Sequence, residues 1–286
     1  MILQEIKKKF ELVNAYEDWK DYRQLLTDIV IAACGDDNSK TLAVIGAGYC
    51  NDIDLKSLCR HFKEILLVDC DSEALFKVLN GLGDEDAKKV ILRPASLTGI
   101  EESDLSEFFN DTLTELRKSG KYLTCGEFEE ILMTRLDRFL SKIYTTEDEV
   151  IKALPRADIA VCNGVCSQLF SIVSYFIRSV AAGIPETLFK GALDVADRAE
   201  LKLKISNNVV VPAIVNAIIN MTGECVIFGN ENSPKHPVEG AYQCIEAVKK
   251  SGCLIKEYEA KWNFNRKHNI EYNMLLQICN TCLRFK

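Results

Sequence analysis

The stretch TLAVIGAGYCNDIDL, residues 41–55, decides the fold. Its first five residues form an apolar run that predicts a short buried strand, and a helical pattern at 53–62 follows the glycines. Gly46 and Gly48 lack Cβ atoms, so the backbone can turn sharply there and a ligand can lie against it. The stretch is therefore predicted to be a strand, a ligand-binding loop and a helix.

A second strand is predicted at residues 64–68 and ends at Asp69, about twenty residues after the glycine loop. A carboxylate at such a strand end can accept hydrogen bonds from the two hydroxyls of a ribose. Glycine also serves purely structural turns, so the prediction of a nucleoside-type site rests on Asp69 as well as on the loop. Asp71 is expected to cap the next helix or to support Asp69.

The loop departs from the dinucleotide-binding pattern G-x-G-x-x-G at its sixth position, where Asn51 replaces the last glycine. In that pattern the small residue lets the helix pack closely and the pyrophosphate approach the helix N-terminus. Asp52 adds negative charge where a pyrophosphate would lie. We therefore expect a ligand that has no phosphate and carries a positive amino or sulfonium group.

Strands and helices alternate in the rest of the chain, which is typical of an α/β domain with a mostly parallel sheet. Two long strands joined by the polar turn 265–268 predict an antiparallel hairpin near the C-terminus. Pro212 is expected to kink a helix or to separate two helices. The other predicted strands are 89–93, 157–162, 224–228, 254–264 and 269–279, and the predicted helices include 72–79 with Ser72 as N-cap, 168–182 and 238–251.

The chain is expected to form a single domain over residues 1–286. Three helical additions to its alternating pattern are predicted. They are N-terminal helices at 1–38, a helical insertion at 101–149 and further helices at 187–222. Trp19 and Tyr22, on the N-terminal helices, are expected either to pack in the core or to close over the cofactor.

Two segments resemble motifs of a known family. VIGAGYCNDIDL, residues 44–55, is similar to the first motif of the class I S-adenosylmethionine-dependent methyltransferases, and ILLVDCD, residues 65–71, is similar to the second. The resemblance covers roughly residues 41–279. It implies an α/β fold with a Rossmann-like, doubly wound and mostly parallel seven-stranded sheet, an antiparallel C-terminal hairpin and added helices.

The resemblance implies S-adenosylmethionine as the cofactor and assigns residues to its parts. The methionine part is expected to lie against residues 46–48, the ribose against Asp69 and the adenine beside Cys70. Cys50 stands where many members of the family have a third glycine. These assignments describe what the resemblance implies for this chain.

Two further segments belong to the implied site. Ser96 stands where the family often has an acidic residue after the third strand, and residues 163–165 match the fourth motif, which borders both cofactor and acceptor. The full set of implied cofactor-binding residues is Gly46, Ala47, Gly48, Tyr49, Asp52, Asp69, Cys70, Asp71, Ser96, Leu97, Asn163, Gly164 and Val165.

Composition limits the classes of function. The formal net charge of -7 leaves no basic excess to neutralise phosphates, so no nucleic-acid partner is expected.

The 12 cysteines are expected to be reduced thiols of a cytoplasmic protein, because the chain is long and lacks an apolar signal segment. The longest apolar run, 209–219, is too short to span a bilayer, so no membrane anchor is expected. Cys279 and Cys282 form a lone C-x-x-C without a nearby histidine, so no metal site is expected.

The predicted function is transfer of a methyl group from S-adenosylmethionine to an unidentified acceptor, expected to be a small molecule. In-line displacement from a sulfonium mainly requires alignment and desolvation of the acceptor, so no catalytic residue is assigned. His61, His236 and His268 lie apart from any hydrolase motif. Two alternatives stay open: an NAD-dependent oxidoreductase on a related sheet, and a noncatalytic protein that binds S-adenosylmethionine. The sequence assigns no oligomeric state and no pathway.

Overall fold

A computed structural model of the chain, which describes residues 2–233 and 238–285, contains a seven-stranded sheet with helices on both faces. The strands are β1 (Thr41–Ile45), β2 (Glu64–Asp69), β3 (Val90–Pro94), β4 (Ala157–Asn163), β5 (Thr222–Glu231), β6 (Leu254–Asn265) and β7 (Ile270–Asn280). They lie in the order β3-β2-β1-β4-β5-β7-β6. All neighbours from β3 to β5 pair in parallel, whereas β7 pairs antiparallel with both β5 and β6.

The sheet confirms the predicted fold class, including the antiparallel C-terminal hairpin. The chain runs outward from β1 to β3 and then crosses back to β4, so the strand order reverses between β1 and β4. In open α/β sheets, ligands bind outside the carboxyl ends of the strands at such a reversal. The topology therefore predicts a ligand site at the loops that follow β1 and β4.

Helices cover the sheet on both sides. One face packs against the helices at residues 20–34, 55–58 and 72–80, and the other against the helix at residues 2–10 and the helices between residues 102 and 250. The central strands are therefore buried on both faces, which explains their nearly continuous apolar sequences. The helices are α1 (Ile2–Phe10), α2 (Ala15–Asp18), α3 (Lys20–Cys34), α4 (Leu55–Leu58), α5 (Ser72–Asn80), α6 (Asp84–Ala87), α7 (Glu102–Ser119), α8 (Cys125–Leu140), α9 (Glu147–Ile151), α10 (Ser171–Ala182), α11 (Ala192–Met221) and α12 (Ala241–Lys250).

The helix boundary expected at Pro212 is absent, because α11 runs through the proline as one helix of 30 residues. A proline in a helix interior costs about 3 kcal/mol through the lost hydrogen bond and steric conflict. Burial of the apolar side chains around it, including Val211, Ile214 and Val215, outweighs that cost. By length and mean hydropathy of 1.2, α11 could cross a membrane, but 56% of its most apolar window is buried inside the protein, as in a core helix.

Two helix starts also differ from expectation. The helix predicted at 53–62 is only the short α4, which begins after Asp54, an N-cap that accepts a hydrogen bond from the Ser57 amide at 3.2 Å. The N-cap of α5 is Asp71, whose Oδ1 accepts from the Ala74 amide at 3.0 Å, and not Ser72. The capping role expected of Asp71 is confirmed. Of the predicted polar stretch 229–237, the last four residues lie outside the described part of the chain.

Candidate cofactor site

The loop after β1 is held against the end of β2. Gly46 has φ +71° and Gly48 has φ +47°, in the left-handed region that glycine adopts without a steric penalty. The amides of Gly46 and Ala47 both donate to the carbonyl of Val68, at 2.8 and 3.1 Å. These bonds bring the loop beside Asp69, the last residue of β2.

Asp69 is fixed by backbone donors on both sides. Its Oδ2 accepts from the Gly48 amide and its Oδ1 from the Asp71 amide, each at 2.8 Å. Burial raises the pKa of Asp69, and the amides of Asp71 and Gly48 oppose that shift. A carboxylate offers about four acceptor positions, so the two amides do not use all of them and a ligand hydroxyl can also bind. Cys70 beside it is exposed.

A chain of side-chain hydrogen bonds connects the loop, β4 and α3. The Asn163 amide nitrogen donates to Asp52 Oδ2 at 2.6 Å, and the Tyr22 hydroxyl donates to Asn163 Oδ1, also at 2.6 Å. Burial raises the pKa of Asp52, and the hydrogen bond from Asn163 opposes the shift. These hydrogen bonds lie at the reversal between β1 and β4, where the topology predicts a ligand.

A small recess lies at this point. It lies between the carboxyl ends of β1 and β4 and the N-terminal part of α3. Two of its polar groups, those of Asp52 and Asn163, belong to the hydrogen-bonded chain. The recess is lined by Leu26, Val44, Ile45, Gly46, Asp52, Ile53, Val161 and Asn163.

The two loop glycines face different surroundings. A Cβ built on Gly46 would overlap the Cγ2 of Val165, so this valine packs directly over the glycine. Nothing lies within 4 Å of a Cβ built on Gly48. The open side of the loop is therefore at Gly48, while Val165 covers Gly46. Gly164 connects the following loop to β5, since its amide donates to the Gly229 carbonyl at 2.8 Å.

Other residues of the implied site contribute less polar surface. Ser96 and Leu97 are buried after β3, and the Ser96 hydroxyl accepts from the Thr98 amide at 3.3 Å within its own turn. Tyr49 is 40% exposed, with the Lys77 ammonium 5.6 Å from its ring centre. Asp71 caps α5 and lies 3.4 Å from the Lys7 ammonium. The residues that converge are thus the glycine loop, Asp52, Asp69 and Asn163.

Two side chains near the site were missed in the sequence. Glu231 ends β5 and is 9% exposed, and Trp262 on β6 is 2% exposed and stacks on Tyr22 with ring centres 4.9 Å apart. Glu231 follows an apolar strand as Asp69 does, and this was the available signal. It was hidden because residues 229–237 are polar throughout and predict a loop. No sequence pattern around Trp262 predicts its contacts.

The remaining candidate groups are separate from the site. His61 Nδ1 lies 3.0 Å from the Ser57 carbonyl, His268 is in the turn before β7, and His236 is outside the described residues. All 12 cysteines are free. Within residues 2–233 and 238–285, no group of three or more histidine, cysteine or acidic side chains could hold a metal ion.

Several methyltransferases of known structure are distantly similar to the chain. No protein-family model and no curated protein matches the chain. A S-adenosylmethionine-dependent methyltransferase from Aquifex aeolicus is 9% identical with a TM-score of 0.44, covering 97% of this chain and 98% of that one. Magnesium protoporphyrin IX methyltransferase from Synechocystis, solved with S-adenosylmethionine bound, is 9% identical with a TM-score of 0.43, covering 94% and 85%. An rRNA methylase from Streptococcus thermophilus is 11% identical with a TM-score of 0.38, covering 88% and 93%.

These identities are low, and the chain's own topology decides its class. The reversal between β1 and β4 and the glycine loop after β1 are those of a doubly wound sheet. The antiparallel β7, inserted between β5 and β6, is the hairpin strand that the resemblance implied. The chain has the class I methyltransferase fold.

Proposed function

We propose that the chain binds S-adenosylmethionine and transfers its methyl group to a small-molecule acceptor. The observation that carries the proposal is the position of Asp69. Its carboxylate is fixed by the Gly48 and Asp71 amides beside a left-handed glycine loop, next to the strand reversal. A ribose can bind there through its hydroxyls, and a phosphate-free cofactor suits the second carboxyl group, Asp52.

The charge of the site supports this cofactor over NAD. Asp52 and Asp69 are both carboxyl groups whose pKa is raised by burial, and a positive ligand group would compensate them. A pyrophosphate would be repelled by the same two groups. S-adenosylmethionine supplies a methyl group on a positively charged sulfonium. In this proposal Asp69 holds the ribose, Asp52 faces the positive end and Asn163 borders the acceptor.

Asn163 is well suited to orient a ligand because its own orientation is fixed. Its amide nitrogen is bonded to Asp52 and its oxygen to Tyr22, so the side chain cannot flip without losing both hydrogen bonds. An in-line displacement depends on alignment of this kind. The acidic surroundings and the net charge of -7 support a small acceptor over a polyphosphate such as nucleic acid. We also propose a cytoplasmic location, which the 12 free thiols support.

Calorimetric titration of the chain with S-adenosylmethionine, S-adenosylhomocysteine and NAD tests the proposal. We expect both sulfur ligands to bind and NAD to bind far more weakly. Asp69→Ala is expected to weaken S-adenosylhomocysteine binding by about tenfold or more, because hydrogen bonds to a charged acceptor are lost. Asp71→Ala is expected to weaken it less, since Asp71 caps α5 and contacts Lys7.

Thermal melts of both variants serve as the control, because loss of the Asp71 cap is expected to cost about 1 kcal/mol of stability. Folded wild-type protein that binds neither sulfur ligand would refute the proposal, and binding of NAD alone would favour the oxidoreductase. Equal losses in the two variants would refute the ribose assignment of Asp69. Transfer of a labelled methyl group to added small molecules separates an enzyme from a noncatalytic binding protein.

A further inference from the structure

Glu231 presents a buried carboxylate oxygen that the described chain leaves unbonded. It is the last residue of β5, at the same edge of the sheet as Gly46 and Asn163. Its Oε1 accepts a hydrogen bond from the Ser167 hydroxyl at 2.9 Å. Its Oε2 is buried and has no hydrogen-bond partner among the described residues. Leaving such an oxygen without a donor is costly, so a ligand that supplies a donor gains binding energy there.

Glu231 has no cationic partner within the described chain, and only hydrogen bonds from Ser167 and from its own backbone amide oppose the rise in pKa that burial causes. The negative charge of Glu231 raises the pKa of nearby phenols and thiols, which are those of Tyr22 on α3, Tyr272 on β7, Cys166 after β4 and Cys244 on α12. No cationic side chain of the described residues contributes to its titration, and burial raises its pKa. A positively charged ligand group would therefore be favoured beside this carboxylate.

The sheet geometry places Glu231 on the side of Asn163 that faces away from Asp52. Side chains two residues apart on a strand point to the same face. A Cβ on Gly229, two residues before Glu231, would overlap Asn163 Oδ1, so Glu231 points to the face that carries the Asn163 side chain. The Tyr22 hydroxyl bonds to Asn163 and senses both Asp52 and Glu231. Asp52 and Glu231 thus lie on either side of the Tyr22 and Asn163 pair.

Aromatic rings complete the surroundings. Trp262 stacks on Tyr22, its ring lies close to Gly164, and its indole N–H is buried without an acceptor among the described residues. Tyr272 packs against Trp262 with ring centres 6.5 Å apart. Aromatic faces attract cations through their quadrupoles. A buried carboxylate that acts electrostatically on Tyr22 and Tyr272 is suited to an organic ammonium group.

We propose, on the basis of the methyltransferase function proposed above, that Glu231 binds the methyl acceptor and that this acceptor is a small primary amine. The ammonium form binds first, donating an N–H to Glu231 Oε2. One proton then passes from nitrogen to the carboxylate, which leaves a neutral amine and a carboxylic acid. The nitrogen lone pair forms the new bond to the methyl carbon, the carbon–sulfur bond breaks, and its electron pair stays on sulfur. The product is a methylated ammonium and a neutral thioether.

The test uses the full chain and three amine probes, benzylamine, tyramine and ethanolamine, titrated by calorimetry with and without S-adenosylhomocysteine. Benzyl alcohol is the uncharged match of benzylamine. At least one amine is expected to bind the wild type. Glu231→Gln is expected to weaken that binding by about tenfold or more. Benzyl alcohol and S-adenosylhomocysteine are expected to bind with unchanged affinity. Glu259→Gln, an exposed position on β6, makes the same change of charge and is expected to have no effect.

The outcomes separate the two proposals. If no amine binds, or if Glu231→Gln binds amines as the wild type does, the amine site is refuted while S-adenosylhomocysteine binding still supports the methyltransferase. If S-adenosylhomocysteine does not bind but an amine binds in a Glu231-dependent way, the methyltransferase is refuted and the amine site is supported. Should Glu231→Gln fail to fold, Glu231→Asp keeps the charge and withdraws it by one methylene. Weaker benzylamine binding at unchanged benzyl alcohol binding is expected, and equal weakening of both refutes the proposal.

Discussion

Gly46 and Gly48 are two residues apart in one loop, yet they need glycine for different reasons. Both have positive φ angles, at which a side chain would strain the backbone. Only Gly46 also lies in contact with another side chain, that of Val165. Gly48 borders open space and is free of that second restriction. The first glycine therefore closes the loop against β4, and the second leaves room for a ligand.

This difference predicts unequal costs of adding a methyl group. Gly48→Ala is expected to lower the free energy of unfolding by about 1 kcal/mol, the penalty of a left-handed backbone. Gly46→Ala is expected to lower it by about 3 kcal/mol, because overlap with Val165 adds to that penalty. Urea denaturation measures both values. Combining Gly46→Ala with Val165→Ala should relieve only the overlap, and equal losses for the two single variants would contradict the contact.

The same residues show how far the sequence predicts the site. Asp52, Asp69 and Asn163 each follow a recognisable strand end or loop, so their place at one edge of the sheet was predictable. The bond between Tyr22 and Asn163 joins positions 141 residues apart in sequence. Neither position carries a local signal for it, because the bond depends on how α3 packs across the finished sheet. The packing of the Val165 side chain on Gly46 could not be predicted for the same reason.

At the scale of elements, α11 shows packing overriding a local preference. The Pro212 nitrogen cannot donate to the carbonyl of Asn208, four residues earlier, so one hydrogen bond of the helix is missing. The helix nevertheless continues to Met221, because its apolar residues are buried on the face opposite α3. A sequence pattern registers the proline but not the burial that compensates for it.

Pro212→Ala is therefore expected to stabilise the protein. Alanine can donate to the Asn208 carbonyl and has the highest helix propensity, so a gain of about 1 to 3 kcal/mol is expected. Val209→Ala, an exposed position on the same helix, is the matched control and should gain only about 0.5 kcal/mol. Thermal and urea unfolding measure both. A less stable Pro212→Ala protein would show that contacts of the proline ring outweigh the hydrogen bond.

Strands were predicted more accurately than helices, and the reason is physical. β1, β2 and β4 are buried on both faces, so each is a short apolar run with a polar residue or glycine at its end. The predicted length of the helix after the loop was wrong, because a short capped turn, α4, satisfies the same apolar spacing. Helices of few residues depend on their caps and contacts, and spacing alone cannot set their length.

For the whole molecule, three carboxyl groups, Asp52, Asp69 and Glu231, lie at one edge of the sheet. Burial raises the pKa of each. A carboxyl group whose pKa is higher in the folded than in the unfolded state disfavours folding once it ionises. The fold therefore holds unfavourable charge where the ligands are proposed to bind, and removal of one such charge should be visible in the pH dependence of stability.

Glu231→Gln is expected to change stability with a defined sign. In the wild type, the folded state keeps the Glu231 proton to higher pH than the unfolded state, whose pKa is near the usual 4.5. The free energy of unfolding of the wild type therefore decreases as pH rises from that value through the raised folded pKa. Glutamine cannot ionise, so the variant does not show this decrease. At about pH 7.5 the variant should therefore have a higher free energy of unfolding than the wild type.

At about pH 4 the gain should vanish, because the carboxyl group is then protonated in the folded protein and largely so in the unfolded chain. Urea denaturation of wild type and variant across this range gives the difference directly, and the other two carboxyl groups cancel because both proteins contain them. Glu259→Gln, measured in parallel, controls for the change in net charge and should show no comparable gain. A gain of the same size at both pH values would mean that glutamine stabilises by packing, and an uncompensated charge at Glu231 would then be excluded.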